Sequence, residues 1–211
     1  MRTIYLALDY KCNHNCMICP LSTFDKLHKP LTMEDVKNAI ETNHLGDGDR
    51  VVLSGGEPCL SELFFDTVKY IMDHGLGITM LSNVSCFSDV EFLRRFEMIV
   101  DKSRFDIITA LHCSCPDLHD EITGCCGSHA MSLTAIGNLI QHNFHVTIKH
   151  IVSNKTYKVN KKLPCVNIVY IYYIIKVGKS KYYLLKWEKS HKGEIYEKNP
   201  LTRGTRHGIM E

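Results

Sequence analysis

No apolar run in the 211-residue sequence approaches the roughly 18 residues of a membrane-spanning helix. The N-terminus equally lacks the basic stretch followed by an apolar core that marks a secretory signal. Both absences point away from membrane and export, and the cytoplasm is the expected location. No internal sequence repeat is evident. Nor does one sign of charge prevail, since 25 Lys plus Arg stand against 23 Asp plus Glu, a formal net charge of +2. With 45% hydrophobic and 23% charged residues, the composition is that of an ordinary globular chain, long enough for one core with an appendage.

The near-neutral total hides a division. Residues 1–160 carry 14 Lys plus Arg against 19 Asp plus Glu, whereas the last 51 residues carry 11 against 4 and hold seven of the Tyr and Trp residues. The stretch VNIVYIYYIIK over 166–176 and its Lys- and Tyr-rich continuation have the composition of a basic patch for nucleic acid or a membrane surface. The same bias arises when an AT-rich coding region is read past a frameshift, and the abrupt change of composition favours that origin. No nucleic-acid or membrane partner is expected. The expected organisation is a core over residues 1–158 and a basic tail over 159–211 that is a frameshifted or truncated C-terminus.

What the chain has in number is cysteine, ten in all. In an exported chain they would suggest disulfides, but in a reducing compartment metal binding or catalysis is the better reading. Three of them are spaced Cys12-x-x-x-Cys16-x-x-Cys19, directly after the apolar segment 3–8. Thiolate is a soft ligand that selects iron–sulfur clusters, zinc or copper(I). A four-iron cluster held by three cysteines keeps one iron open to a further ligand. A zinc ion completed by His14 or His28 is the alternative, although zinc sites more often pair their ligands in two spaced couples.

Around these cysteines, strand and helix patterns alternate. Strands are expected at 3–8, 50–54, 78–82, 105–112 and 144–152, and helices at 32–40, 61–74, 88–100 and 128–143. Thr32 with an acidic first turn marks one helix start, and Gly75 is placed to end the second helix. Such alternation indicates βαβ units and a parallel sheet, in which ligands gather at the C-terminal ends of the strands. The cysteines, Gly55 to Pro58, Ser82 with Asn83, His112 and Asn154 all fall at or just beyond such ends.

The cysteine spacing, followed by Ser54-Gly-Gly-Glu-Pro58 in the second strand-end position, resembles the radical S-adenosylmethionine (radical SAM) superfamily. The resemblance covers about residues 1–155 and implies an α/β fold, a partial TIM-type barrel of (βα)6 type. Its last unit would have to come from residues 166–175, where no family pattern is visible. It further implies that Cys12, Cys16 and Cys19 bind three irons of a 4Fe-4S cluster, with S-adenosylmethionine on the fourth. Reductive cleavage of that cofactor to a 5′-deoxyadenosyl radical, which abstracts a substrate hydrogen, is the implied activity.

On the same resemblance, Gly55 and Gly56 allow close approach to the cofactor, and Glu57 is a partner for the amino group of its methionine moiety. Ser82 and Asn83 reach its ribose or carboxylate, His112 faces the cofactor or substrate, and Asn154 bonds near the adenine. Read without the resemblance, Ser82-Asn83 is a plain turn and His112 a structural histidine. The run His119-Asp-Glu-Ile-Thr-Gly124, with Thr134-Ala-Ile-Gly-Asn-Leu139, is similar to radical SAM enzymes that mature ribosomal peptides, which implies a peptide substrate. An electron donor such as a flavodoxin or ferredoxin is implied with it. Cys113, Cys115, Cys125 and Cys126 match no trusted auxiliary-cluster spacing, and Cys59, Cys86 and Cys165 read as packing residues. Two other functions remain open, a catalytically impaired fragment acting as a binding protein and a zinc-binding interaction module.

Overall fold

A computed structural model describes residues 1–17, 19, 21 and 29–150, together with the backbone of three strands at 171–177, 181–189 and 195–198. Five strands, β1 (Thr3–Ala7), β2 (Arg50–Ser54), β3 (Gly77–Leu81), β4 (Phe105–Ala110) and β5 (His145–His150), lie side by side in chain order. All four pairings among them are parallel, with Tyr5 opposite Val52, Val52 opposite Thr79, Thr79 opposite Asp106 and Ile108 opposite Thr147. Every C-terminal strand end therefore falls on one edge of the sheet.

Period-two alternation decides which face meets the helices. Leu6, Val51, Leu53, Ile78, Met80, Phe105, Ile107, Val146 and Ile148 belong to the buried core. Their neighbours Tyr5, Thr79 and Ile108 lie on the opposite face, where Arg50 also donates to Thr79 Oγ1 at 3.2 Å and pairs with Asp106. The helices present matching stripes. In α2 (Phe64–Asp73) the buried positions are Phe64, Thr67, Val68, Ile71 and Met72, the i, i+3, i+4, i+7 spacing of one helical face. In α1 (Met33–Thr42) they are Val36 and Ile40, one turn apart. The helix α1 begins where the sequence places it, because Thr32 Oγ1 accepts from Asp35 N at 3.2 Å while the Asp35 carboxylate accepts from Thr32 N at 2.8 Å. Gly75, in the left-handed region at φ +74°, closes the turn after α2.

Three elements differ from the expected pattern. The second helix starts at Phe64 and not Ser61, because Pro58–Leu60 forms a short 3-10 turn capped by Glu57 and leaves Ser61 extended. Another such turn, Ser85–Ser88, shortens the next helix to α3 (Val90–Glu97), capped by Asp89. An additional helix, α4 (Pro116–Thr123), precedes α5 (Ser128–Gln141). It begins with Pro116 in its first turn and stops at Gly124, whose φ of +62° suits the left-handed cap. The sixth strand position is occupied by β6 (Ile171–Val177), parallel to β5 with Lys149 opposite Tyr172. Two antiparallel strands, β7 (Lys181–Lys189) and β8 (Ile195–Lys198), extend the sheet beyond it. Asn154, His28 and Cys165 lie outside the described residues.

The centre of the core is aromatic. Phe96 has ring contacts with Phe64, Phe87, Phe105 and Phe144 at centroid distances of 5.8, 5.1, 5.0 and 5.5 Å, and so joins α2, α3, β4 and the start of β5. Phe96→Ala is expected to cost about 3–5 kcal/mol of unfolding free energy, read from urea denaturation, because four rings lose a common partner.

Candidate active site

The cysteine loop leaves β1 at the C-terminal edge of the sheet and is held on both sides by backbone hydrogen bonds. On one side the turn after β2 donates, with Gly56 N to Asp9 O at 2.9 Å and Glu57 N to Lys11 O at 2.8 Å. A Cβ on Gly55 would stand 2.1 Å from Asp9 O, and one on Gly56 would stand 2.2 Å from Lys11 O and 2.4 Å from Tyr10 O. Gly55 also has a φ of +122°, so both positions require glycine, one for its dihedral angle as well as for space. The Asp9 carboxylate accepts from Tyr10 N at 2.7 Å and shapes the segment that receives these bonds. On the other side the loop donates to the end of α4, Asn15 N to Thr123 O at 2.8 Å and Met17 N to Ile122 O at 2.9 Å. These carbonyls have no partner within their own helix. Gly124 allows the approach, since a Cβ there would meet Asn15 O at 2.6 Å.

Cys12, Cys16 and Cys19 are free thiols on this loop, Cys12 exposed and the others partly so. His14 N donates to Cys12 Sγ at 3.4 Å, and Asn83 Nδ2 approaches the same sulfur at 3.8 Å. Burial, then the neighbouring Cys12 and Cys19, push the Cys16 thiol up to about 11. A bound cation would reverse that shift, because thiols bind metals as thiolates. Among the described residues, the one group of three ligand atoms lying within 4.8 Å of one another is Glu57, Cys59 and Cys86. The loop cysteines are not drawn together to the S···S separation of about 3.8 Å that one tetrahedral zinc ion imposes.

The turns after β2 and β3 are joined by Glu57. Its carboxylate is 1% exposed and accepts from Ser82 Oγ at 2.7 Å, Asn83 N at 2.7 Å and Cys59 N at 3.2 Å. It therefore lies beneath the turn as a bridge and not open to a ligand amine, and burial raises its pKa. Asn83, in the turn after β3, lies against the cysteine loop. The Asn83 side chain donates to Asn13 Oδ1 at 2.7 Å and accepts from Ser85 N at 2.9 Å, and Asn13 Nδ2 donates to Ser85 Oγ at 2.8 Å. Asn13 and Ser85 escaped the sequence reading, since an Asn between two cysteines carries no pattern of its own.

His112 lies just beyond β4 in a buried histidine cluster. Its backbone N donates to His119 Nδ1 at 3.2 Å, and the His112–His119 and His119–His129 ring centroids are 5.5 and 5.3 Å apart. His150 Nδ1 donates to Leu111 O at 2.6 Å. Burial, then neighbouring histidines, hold His112 down to about 3 and His119 to about 4. The run containing His119 has separate structural tasks. Asp120 accepts from Ser128 Oγ at 2.9 Å and His129 N at 2.8 Å to cap α5, while Ile122 and Thr123 receive the cysteine loop.

The sequence model described as the Radical SAM superfamily matches residues 9–154. The chain belongs to the radical SAM superfamily. An AdoMet-dependent heme synthase from Methanosarcina barkeri is 26% identical over 190 residues, 84% of this radical SAM chain and 52% of that protein. A probable GTP 3′,8-cyclase from Thermoplasma volcanium is 28% identical over 82 residues, 38% of this chain and 25% of that protein. The chain thus spans about half the length of the first relative and a quarter of the second. Native anSMEcpe with bound AdoMet and the Cp18Cys peptide superposes with a TM-score of 0.58 at 15% identity, covering 86% of this chain and 54% of that one. SuiB from Streptococcus suis gives 0.58 at 12% identity, covering 74% and 34%. At these identities the likeness is one of fold, and it agrees with the expected α/β partial barrel of radical SAM enzymes. No helix among the described residues is long and apolar enough to cross a membrane.

Two outcomes follow from this arrangement. Gly56→Ala is expected to keep the far-UV circular dichroism spectrum but to lose most of the iron taken up on reconstitution, since its Cβ displaces residues 10 and 11 next to Cys12. The second concerns pH. His112 and His119 are neutral in the fold but protonate near 6.5 when unfolded, so their contribution is present above about pH 6.5 and is lost as pH falls. Urea unfolding should show stability dropping by about 1.4 kcal/mol per pH unit for each histidine below that point, until the folded-state values of about 3 and about 4 are reached. His119→Asn, which retains an acceptor for His112 N, should flatten the slope.

Proposed function

We propose that the chain holds a 4Fe-4S cluster on Cys12, Cys16 and Cys19, binds S-adenosylmethionine at the adjoining strand ends, and acts on a peptide. The observation that carries this reading is the cysteine loop clamped between the Gly55–Gly56 turn and the end of α4, at the C-terminal edge of a parallel sheet. Such a cluster supplies an electron that cleaves the bound sulfonium to methionine and a 5′-deoxyadenosyl radical, which takes a hydrogen atom from substrate.

The chain's own residues do the positioning. Asp9 and the two glycines set the path into Cys12, and the α4 carbonyls set the path out of the loop toward Cys16. Asn83 ties the turn after β3 to Asn13 and Cys12, so that a cofactor lying over these strand ends meets a rigid wall. Glu57 acts from below by holding Ser82 and Asn83 in place, and the neutral His112 offers a polar atom without a competing charge. We place Asn154 at the adenine end on the family resemblance. Both SuiB bound to its precursor peptide SuiA and anSMEcpe bound to a peptide share this fold, which supports a peptide substrate. A tetrapyrrole-type substrate is the second reading, favoured by the heme synthase match across 84% of the chain. A flavodoxin- or ferredoxin-type protein is the fitting reductant, and an oxygen-sensitive cluster suits the cytoplasm.

Anaerobic reconstitution with iron and sulfide, followed by dithionite and S-adenosylmethionine, is expected to yield 5′-deoxyadenosine by mass spectrometry, and Cys16→Ala is expected to yield none. A cluster that forms without any 5′-deoxyadenosine would leave the chain a binding protein.

A further inference from the structure

The group that best fits a single metal ion is not the cysteine loop. Glu57, Cys59 and Cys86 place a carboxylate oxygen and two thiol sulfurs within 4.8 Å of one another. Cys59 belongs to the 3-10 turn after β2 and Cys86 to the one after β3, and Glu57 caps the first of these turns. The three ligand atoms therefore come from two short, hydrogen-bonded turns on neighbouring strand ends. We propose that Glu57, Cys59 and Cys86 form a binding site for one thiophilic divalent ion of the zinc class, separate from the three-cysteine loop.

The donor set suits that class. Two thiolates and one carboxylate match a borderline-soft ion, and three protein ligands with one open position are an ordinary zinc arrangement. The local electrostatics ask for a cation. Glu57 is buried, its donors Ser82 Oγ, Asn83 N, Cys59 N and the Cys59 thiol are all neutral, and among the described residues no cationic side chain pairs with it. An arriving ion would displace the two thiol protons to solvent and give the buried carboxylate a counter-charge. Cys86 is partly exposed and supplies the way in, whereas Cys59 is 8% exposed. Because the ion would draw on the carboxylate that holds Ser82 and Asn83, its binding would be felt at the turn after β3.

Cobalt(II) titration of the reconstituted full chain tests this, with zinc(II) as competitor and the thiolate-to-cobalt charge-transfer absorption as the readout. The expected result is about one zinc-displaceable equivalent in the wild type and in Cys16→Ala, and none in Cys59→Ser or Cys86→Ser. Thermal unfolding of each variant checks the fold, and Cys86→Ser, at the more exposed position, decides the matter if Cys59→Ser does not fold. Absorption retained in Cys86→Ser, absent from the wild type, or lost only in Cys16→Ala overturns the proposal. Cluster formation is scored separately by iron content, so failure of the radical SAM reading and failure of this one are distinguishable.

Discussion

A loop that carries three cysteines has to satisfy its own backbone before it can offer thiols to anything else. Residues 9 to 17 form no regular element, so their N–H and C=O groups need partners elsewhere. The turn after β2 supplies donors to Asp9 and Lys11, and the end of α4 supplies acceptors to Asn15 and Met17. These contacts bring backbone against backbone at distances a Cβ would forbid, which is why glycine stands at 55, 56 and 124. The sheet sets the first partner by ending β1 and β2 together. The second requires α4 to terminate against the loop, and its unbonded C-terminal carbonyls make that contact favourable.

Beneath the loop the chain keeps its polar groups neutral or tightly hydrogen-bonded. Glu57 is buried yet bridged to its donors, and His112 and His119 are held uncharged by burial and by neighbouring histidines. The Glu57 bridge makes the turns after β2 and β3 act as one unit, because its carboxylate accepts from both of them.

The five parallel strands, most helices and the cap at Thr32 were legible because each is a local pattern of apolar spacing and capping residues. So was the cysteine triad, whose ligands lie within eight residues of one another. The helix α4 was not legible, although Pro116 and Gly124 mark its ends, because only about two turns of ordinary periodicity lie between them. The start of α2 falls at Phe64 and not Ser61 because Ser61 is extended and its Oγ accepts from Leu63 N at 3.3 Å, a turn that apolar spacing alone does not distinguish from a helix.

The site divides along the same line. Thiol spacing, the glycine pair and the strand-end positions of Ser82, Asn83 and His112 are properties of short segments, and adjacent residues suffice to specify them. That Glu57 is buried beneath its turn, that Asn13 meets Asn83, and that Cys59 meets Cys86 depend on strands β1, β2 and β3, 26 to 70 residues apart at these contacts, being brought into register. Register is a property of the whole sheet, since it follows from which hydrophobic faces can be buried together. No window of sequence contains that information, and only the packed structure decides which side chains share a site.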